Sequence, residues 1–454
     1  MTPCERDHHT EGMNEGELFT GGEADRPDVQ GMRPGSEQGG AGQAVRSRPQ
    51  PTPGEVDTIG AQNLGFSPEE YLARIAAVRG RMSDQGLSAL IVTDSANIYY
   101  LTGYNAWSFY TPQLLFVPSS GPLTLFLRDM DARGASHTSW LPPEDIVGYP
   151  ERYVQRPHIH PFDWVAFALR QRWEVARASS SPVGVEMDSH FFSPRAFRAL
   201  VNGVPEWRLV DSFELVNWIR AIKSADELAL MHRAAEVTSA AMDAALGTVG
   251  QGVGQHEVAA AISAAQARGS GPSWGDYPAI VPLMPTGESA DTPHLSWTDR
   301  TFAADESVSI ELAGVHRRYH VPLARTAVVG RPKQELVRLE GVVAEALAAV
   351  LDVAAPGVPT AELARTWNRV LARGGLEKPS RLGYSIGIGY PPDWGERTIS
   401  IRTEDDQILE AGMTFHLICG MWMNGYGYEL SESILVTDSG VDTFTDFPRE
   451  LIRL

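Results

Sequence analysis

The chain contains very little cysteine and no long apolar segment. Cys4 and Cys419 are the only two cysteines, so a framework of disulfides cannot hold the fold together. No run of about 18 uncharged apolar residues is present that could cross a membrane, and the N-terminus lacks the apolar core of a signal peptide. These absences predict a cytoplasmic protein that is not embedded in a membrane.

Basic residues are outnumbered by acidic ones. Lysine and arginine total 38 against 57 aspartates and glutamates, so the formal net charge is −19. A chain of this charge repels phosphate backbones and anionic lipid surfaces, which argues against nucleic acid and membrane partners. A salt-adapted source and an ordinary acidic enzyme are both compatible with it.

The first 60 residues differ in composition from the rest of the chain. They are rich in Gly, Pro, Glu and Gln, and Leu18 and Phe19 form almost their only apolar pair. Such a segment cannot bury enough surface to offset the entropy of ordering, so we predict a disordered extension over 1–60. Met13 and Met32 leave open a later translation start.

The remaining chain divides into two predicted domains. Over 61–215, an amphipathic helix that begins after Ser67 is followed by apolar strands, and this alternation predicts an α/β domain. Its strands are expected near 90–92, 114–117, 123–127 and 183–185.

Over 216–454, blocks of helices and strands predict an α+β domain. Ser224 and Glu227 have the spacing of a capping box, which marks a helix start within the helical stretch 213–246. Further helices are expected near 257–267, 333–354 and 360–373. Strands are expected near 278–283, 307–313, 325–329, 412–422 and 428–437.

Glu311 is the polar residue that stands out in the second domain. It lies between Ile310 and Leu312 in an apolar strand, where a carboxylate is costly unless it is paired. Alternation along the strand also permits a second interpretation, in which Glu311 faces solvent. Glu432 allows the same two readings, and a loop histidine such as His294 is commonly solvated.

The order of motifs over about 60–454 resembles the creatinase, prolidase and aminopeptidase P superfamily. The segments that carry the resemblance are 220–227, 319–326, 412–415 and 432–437. The resemblance implies a homodimer with the pita-bread fold, in which a creatinase-like N-terminal α/β domain precedes an α+β pita-bread catalytic domain.

The metallopeptidases of this superfamily bind two metal ions through two Asp, one His and two Glu. By the resemblance, the positions of the first Asp, the second Asp, the His and the first Glu are taken here by Glu311, Pro322, Tyr384 and Ile418. Glu432 is retained at the fifth position. Because proline and isoleucine offer no ligand to a hard divalent cation, we expect neither a metal nor another cofactor.

A finer resemblance is to the ectoine hydrolases of this superfamily. It rests on segments of both domains, namely 103–110, 276–282, 293–299, 311–314, 318–320 and 389–398. It implies metal-free ring opening of ectoine, a cyclic amidine, to N-acetyl-2,4-diaminobutyrate. Hydroxyectoine is a possible second substrate, and a downstream deacetylase is the expected partner enzyme.

The resemblance and the chemistry of an amidine together suggest roles for individual residues. Glu311 is expected to attack the amidine carbon, and His294 to protonate the leaving nitrogen and then activate water. Glu432 or Glu429 would pair with the amidinium. The residues predicted to bind the substrate are Trp107, Tyr110, His320, Tyr384, Arg397 and Glu429.

Some of these substrate roles have a structural alternative. Trp107 and Tyr110 would form an aromatic wall for the cation, across the dimer interface by the resemblance, or would simply pack between domains. Arg397 would hold the substrate carboxylate with its guanidinium fork, or lie at the surface.

Two other functions stay open. One is a different hydrolase, either a creatinase-like enzyme for another small amidine or amide, or an Xaa-Pro dipeptidase-like enzyme that keeps one metal. The other is a non-catalytic binding module, which the altered ligand positions would suit. The joint presence of Glu311, His294 and Glu432 favours catalysis.

Overall fold

The computed structural model describes residues 65–172 and 181–454. The extension predicted over 1–60 lies outside these residues. Within the described ranges, no helix combines the length and the apolarity needed to cross a bilayer.

The N-terminal part of the described chain is a six-stranded mixed sheet with helices on both faces. Its strands are β1 (Ala89–Val92), β2 (Leu114–Pro118), β3 (Thr124–Arg128), β4 (Ile146–Tyr149), β5 (Val183–Val185) and β6 (Leu209–Asp211), in the order β4-β3-β2-β1-β5-β6. Its helices are α1 (Pro68–Asp84), α2 (Ser95–Thr102), α3 (Asp129–Thr138), α4 (Pro161–Arg172) and α5 (Pro194–Gly203).

The central strand β1 consists entirely of apolar residues, because both of its faces are buried. Leu90 and Val92 pack into one core, while Ala89 and Ile91 pack into another on the opposite face. A strand buried on both faces cannot alternate apolar with polar residues. The four strands predicted from the sequence in this region are all present.

Helix α1 begins where its sequence predicts. The Ser67 side chain accepts a hydrogen bond from the Glu70 N–H at 3.3 Å, and a proline follows the cap directly. Tyr71, Ile75 and Val78 lie on its buried face.

The C-terminal part is built on an eight-stranded sheet in which β9 is central. The strands are β7 (Glu306–His316), β8 (Tyr319–Val329), β9 (Gly383–Tyr390), β10 (Asp393–Ile401), β11 (Thr414–Ile418), β14 (Ser431–Val436), β15 (Val441–Thr443) and β16 (Ile452–Arg453), and β12 (Met421–Met423) and β13 (Tyr426–Tyr428) form a separate hairpin. The main path runs β15-β14-β11-β9-β8-β16, with β10 on β9 and β7 on β8. The helices are α6 (Leu215–Arg220), α7 (Ala225–Leu246), α8 (Gln255–Arg268), α9 (Gln334–Val353) and α10 (Thr360–Arg373).

Helix α7 fixes the position of the long β7–β8 hairpin. Its Thr238 hydroxyl accepts a hydrogen bond from Gly314 N–H at 2.9 Å and contacts the Val321 carbonyl at 2.6 Å. A Cβ added at Gly314 would lie 2.2 Å from the Thr238 nitrogen, so only glycine allows this approach. The hairpin that carries Glu311 is therefore held rigidly against the helix.

Several predicted elements differ from the structure. The strand expected at 278–283 is irregular and contributes a single bridge from Leu283 to Glu311, and the strand expected at 412–422 is divided between β11 and β12. Strands β9 and β10 were not predicted, because their glycines and the Pro391-Pro392 turn resemble loop sequence. The break predicted near Ser224 is confirmed, with both bonds of the capping box present.

Candidate active site

Glu311 is buried in the middle of β7. Its register partner on β8 is Ala324, and Pro322 lies on the same face because it pairs with Ala313. Only 5% of Glu311 is exposed, which excludes the solvent-facing reading. Burial, then the nearby Glu429 and Asp393, raise the pKa of the Glu311 carboxyl well above its ordinary value.

Glu429 is the second carboxyl of the site. It is 1% exposed, and within the described ranges neither of its carboxyl oxygens has a hydrogen-bond partner. Its backbone is fixed by Thr326, whose hydroxyl accepts from the Glu429 N–H at 2.8 Å and donates to the Glu429 carbonyl at 2.9 Å. Burial raises the pKa of Glu429 to about 7, and the Lys378 ammonium opposes this rise.

A chain of hydrogen bonds lies beside Glu311. The Trp394 indole N–H donates to the Tyr384 hydroxyl at 2.7 Å, which lies 3.1 Å from His416 Nδ1. His416 Nε2 lies 2.7 Å from the Ser431 hydroxyl, and its Nδ1 is 4.0 Å from Glu311 Oε1. Burial lowers the pKa of His416 to about 3, so the imidazole is neutral.

Tyr384 is thus a predicted residue that the structure places in the site, whereas His416, Trp394 and Lys378 were missed. His416 follows Phe415 in an apolar strand, a pattern that predicts a core residue, so no local signal identifies it as part of the site. Arg381 was also missed. It is an exposed residue whose guanidinium lies 4.3 Å from the Tyr384 ring centroid and donates to Ser400 Oγ at 3.0 Å.

Glu432 differs from its predicted role. It is buried, but it pairs with Leu417 on β11, whereas Ser431 pairs with Ile418. Alternation therefore directs Ser431 to the face of His416 and Glu432 to the opposite face. There its Oε1 accepts from Arg325 Nη2 at 2.7 Å and from Arg449 Nε at 3.0 Å. The structure corrects the assignment: Glu432 is an ion-pair partner of two arginines behind the sheet.

His320 and Arg397 are also occupied elsewhere. His320 is fully buried, its Nε2 accepts from the Ala279 N–H at 3.0 Å, and its Nδ1 donates to the Arg318 carbonyl at 2.8 Å. Neither nitrogen is left for a substrate. Arg397 donates to the carbonyl and the carboxylate of Asp188 in the N-terminal part, so it joins the two parts of the chain.

His294, Trp107 and Tyr110 are not brought into contact with the carboxyls. His294 is exposed and has no side-chain hydrogen bond within the described ranges. The carbonyl of its neighbour Leu295 accepts from the Met284 N–H at 2.7 Å. Met284 follows Leu283, which forms a backbone bridge with Glu311. Trp107 and Tyr110 are 59% and 60% exposed. Trp107 packs against Tyr277 with ring centroids 4.6 Å apart.

The residues at the site do not fit a pair of divalent cations. Pro322 and Ile418 offer no ligand, and Glu432 lies behind the sheet. In the part of the chain that the structure describes, no three His, Cys, Asp or Glu side chains are grouped so as to hold a metal ion. A metal centre of the kind implied by the superfamily is therefore incompatible with this donor set.

Comparison with known proteins gives consistent results for both parts of the chain. Residues 74–222 match the creatinase/prolidase N-terminal domain, and residues 229–438 match metallopeptidase family M24. The chain is 41% identical to the ectoine hydrolase of Halomonas elongata, over 86% of this chain and 98% of that protein. It is 42% identical to an uncharacterised hydrolase/peptidase of Sinorhizobium fredii over the same shares.

Solved structures show the same fold at low sequence identity. The prolidase of Thermococcus sibiricus superposes with a TM-score of 0.73 at 20% identity, covering 85% of this chain and 99% of that one. The prolidase of Pyrococcus horikoshii superposes with a TM-score of 0.69, also at 20% identity, covering 84% and 100%. The predicted combination of an α/β domain with a pita-bread domain is confirmed, and the chain belongs to the creatinase/prolidase superfamily of pita-bread enzymes.

Proposed function

We propose that the protein is an ectoine hydrolase that opens its cyclic amidine substrate without a metal ion. The observation that carries the proposal is the pair of buried carboxyls, Glu311 and Glu429, in a site whose donor set does not suit metals. The 41% identity to a named ectoine hydrolase supports the choice of substrate. The peptidase alternative loses support because Glu432 is not in the site.

A cationic ring would supply the positive charge that the two buried carboxyls need in order to ionise. The amidinium of ectoine carries a delocalised positive charge, and a cation beside a buried carboxyl favours its ionised form. Binding would therefore convert Glu311 and Glu429 to carboxylates and release protons. Glu429 takes the role of charge partner that the sequence had divided between Glu429 and Glu432.

The reaction proceeds in two stages. A Glu311 carboxylate oxygen bonds to the amidinium carbon, and one ring C–N bond then breaks as its nitrogen receives a proton, which leaves an imidate ester on Glu311. Water then attacks the same carbon and loses a proton, and the Glu311 oxygen departs as carboxylate. The product is N-acetyl-2,4-diaminobutyrate.

His294 remains the proposed proton carrier in both stages. It precedes Leu295, whose carbonyl accepts from the Met284 N–H next to Leu283, the backbone bridge partner of Glu311. The His416–Tyr384 pair lies beside Glu311 but is not assigned the proton transfer, because burial lowers the pKa of His416 to about 3 and raises that of Tyr384 well above its ordinary value. Neither group exchanges a proton readily near neutral pH.

The proposal extends to the surroundings of the site. The exposed aromatic rings of Trp107 and Tyr110 support a homodimer in which one subunit covers the substrate site of its partner. We further propose a cytoplasmic location and a downstream deacetylase that removes the acetyl group of the product.

Ectoine turnover tests the substrate and the nucleophile together. Purified protein with ectoine is expected to form N-acetyl-2,4-diaminobutyrate, followed by mass spectrometry. Glu311→Gln should lower kcat by at least about 10³-fold, because an amide cannot form the ester, while ectoine still binds. The control Glu335→Gln, at an exposed glutamate, should keep kcat. Absence of product from the unsubstituted enzyme would contradict the assignment, and a near-normal kcat for Glu311→Gln would remove the nucleophile.

The pH dependence of kcat/KM tests the carboxyl pair. Both pKa values are raised, so the pair is protonated at low pH and kcat/KM should rise through an acid limb that lies above the ordinary range of a carboxyl. In Glu429→Gln, Glu311 no longer faces a second carboxyl, so its pKa falls and the limb moves to lower pH. The maximal kcat/KM also falls because a charge partner is lost. A limb that stays in place would show that Glu429 does not act on the substrate site.

Arg381 is the cation available for the substrate carboxylate in place of Arg397. It lies against Tyr384 at the exposed edge of the site. Arg381→Ala should raise KM for ectoine about tenfold and leave kcat largely unchanged, because a charged hydrogen bond is lost equally from substrate and transition state. Arg402→Ala removes the same charge from an exposed position after β10 and serves as the control. An equal KM in the two variants would exclude this role.

A further inference from the structure

The hydrogen-bond chain beside Glu311 is closed at both ends by N–H groups, which can only donate. At one end the Trp394 indole N–H donates to the Tyr384 hydroxyl at 2.7 Å, and at the other the Ala324 backbone N–H donates to the Ser431 hydroxyl at 2.6 Å. His416 lies between the two hydroxyls, with Nδ1 3.1 Å from Tyr384 and Nε2 2.7 Å from Ser431. Neither N–H group at the ends can accept a hydrogen bond from the interior of the chain.

The interior of this chain carries more protons than it has contacts. Tyr384, Ser431 and a neutral His416 bring one hydrogen-bonding proton each. Two contacts join these three groups, and each contact uses one proton. One of the three protons must therefore point away from the chain, toward an acceptor outside it.

The tautomer of His416 decides which hydroxyl carries this free proton. A proton on Nε2 donates to Ser431 and frees the Ser431 proton, whereas a proton on Nδ1 donates to Tyr384 and frees the Tyr384 proton. Ser431 is fully buried, and its hydroxyl has no further acceptor among the described residues. Because an unpaired donor is unfavourable in the interior, the Nδ1 tautomer is favoured. A doubly protonated His416 would leave Tyr384 with the same free proton.

The Tyr384 hydroxyl lies close to the proposed nucleophile. His416 Nδ1 is 3.1 Å from this hydroxyl and 4.0 Å from Glu311 Oε1. Tyr384 is partly exposed, so its free proton is accessible to a ligand beside Glu311. Its oxygen accepts from the Trp394 N–H and, in the favoured tautomer, from His416, and these two bonds strengthen the hydroxyl as a donor.

We propose that Tyr384 is a further catalytic residue, whose hydroxyl donates a hydrogen bond to the substrate nitrogen that stays bonded to the reacting carbon. Trp394, His416 and Ser431 are positioning residues, because they act through the Tyr384 hydroxyl. The choice of a nitrogen as acceptor rests on the proposed function, whereas the direction of the chain does not.

The retained nitrogen accepts a hydrogen bond only after the reaction has begun. In the bound amidinium both nitrogen lone pairs are delocalised, so the two nitrogens can only donate. Once Glu311 bonds to the carbon, the delocalisation ends and the retained nitrogen has a lone pair that accepts from Tyr384. The contact therefore stabilises the transition state more than the bound substrate. Tyr384 keeps its proton, so the proton balance of the two stages is unchanged.

Tyr384→Phe separates this role from a contact with the substrate carboxylate. The variant should lower kcat for ectoine about 10²-fold and leave KM within about twofold, because the lost hydrogen bond forms mainly in the transition state. Tyr153→Phe removes a hydroxyl from the N-terminal part and should keep both constants. A near-normal kcat in Tyr384→Phe would overturn the proposal. If KM rose as well, the hydroxyl would instead serve the substrate carboxylate.

Nitrogen NMR of the imidazole rings tests the direction of the chain without turnover. In ¹⁵N-labelled enzyme without substrate, the long-range ¹H–¹⁵N correlations of His416 should show a protonated Nδ1. The spectrum of His416→Gln identifies these signals among those of the 12 histidines. A proton on Nε2 alone would overturn the proposal. A protonated Nδ1 in a protein that does not hydrolyse ectoine would reject the proposed substrate and keep the free Tyr384 proton.

Discussion

The unfavourable burial of two carboxyls in one sheet interior is the constraint on which the rest of the site depends. Glu311 and Glu429 are both almost fully enclosed, and each makes ionisation of the other harder. Neither could move to solvent without breaking local structure. Glu311 is held by the β7–β8 register, and the Glu429 backbone is held by Thr326. A site of this kind is poised to take up a positive charge.

The fold accommodates the loss of metal ligands because the interactions that hold its sheet together do not involve the ligand positions. The sheet of the C-terminal part is held by strand ladders and by apolar packing on its outer face, which a proline at 322 or an isoleucine at 418 leaves in place. The similarity to solved prolidases, with a TM-score of 0.73 at 20% identity, reflects that independence. We propose that substitutions on the inner face have changed the kind of cation that the site binds, from metal ions to an organic cation.

Much of the architecture could be predicted from periodicity and capping, but strand-face assignments at the site could not. Helix α1 and the capping box at Ser224 were predicted from local signals, since their determinants lie within a few residues. Strands β9 and β10 were not, because glycine-rich strands are stabilised by neighbouring strands rather than by propensity. Glu432 shows the limit of sequence-based prediction most clearly. A shift of one residue moves a side chain to the other face of a sheet, and only the β11–β14 register reveals on which face Glu432 lies.

The same limit explains which polar residues were identified. Glu311 was named from its place in an apolar strand and Tyr384 through an aligned motif, whereas His416 has no motif and is linked to the site by contacts across the sheet. His320 and Arg397 stand in suggestive motifs, yet each forms a hydrogen bond with a residue distant in sequence, Ala279 and Asp188 respectively. Such long-range hydrogen bonds are a property of the folded structure and cannot be predicted from a local motif.

We propose that a cation carried by the substrate replaces the metal ions of the superfamily. The most direct test of this proposal is the rate of ectoine hydrolysis after exhaustive dialysis against EDTA, measured with and without added Mn²⁺. If the substrate cation replaces the metal ions, kcat should be the same before and after chelation, with no gain from Mn²⁺. Loss of activity with EDTA and recovery with Mn²⁺ would contradict it, because a functional metal would then occupy the site that these carboxyls form.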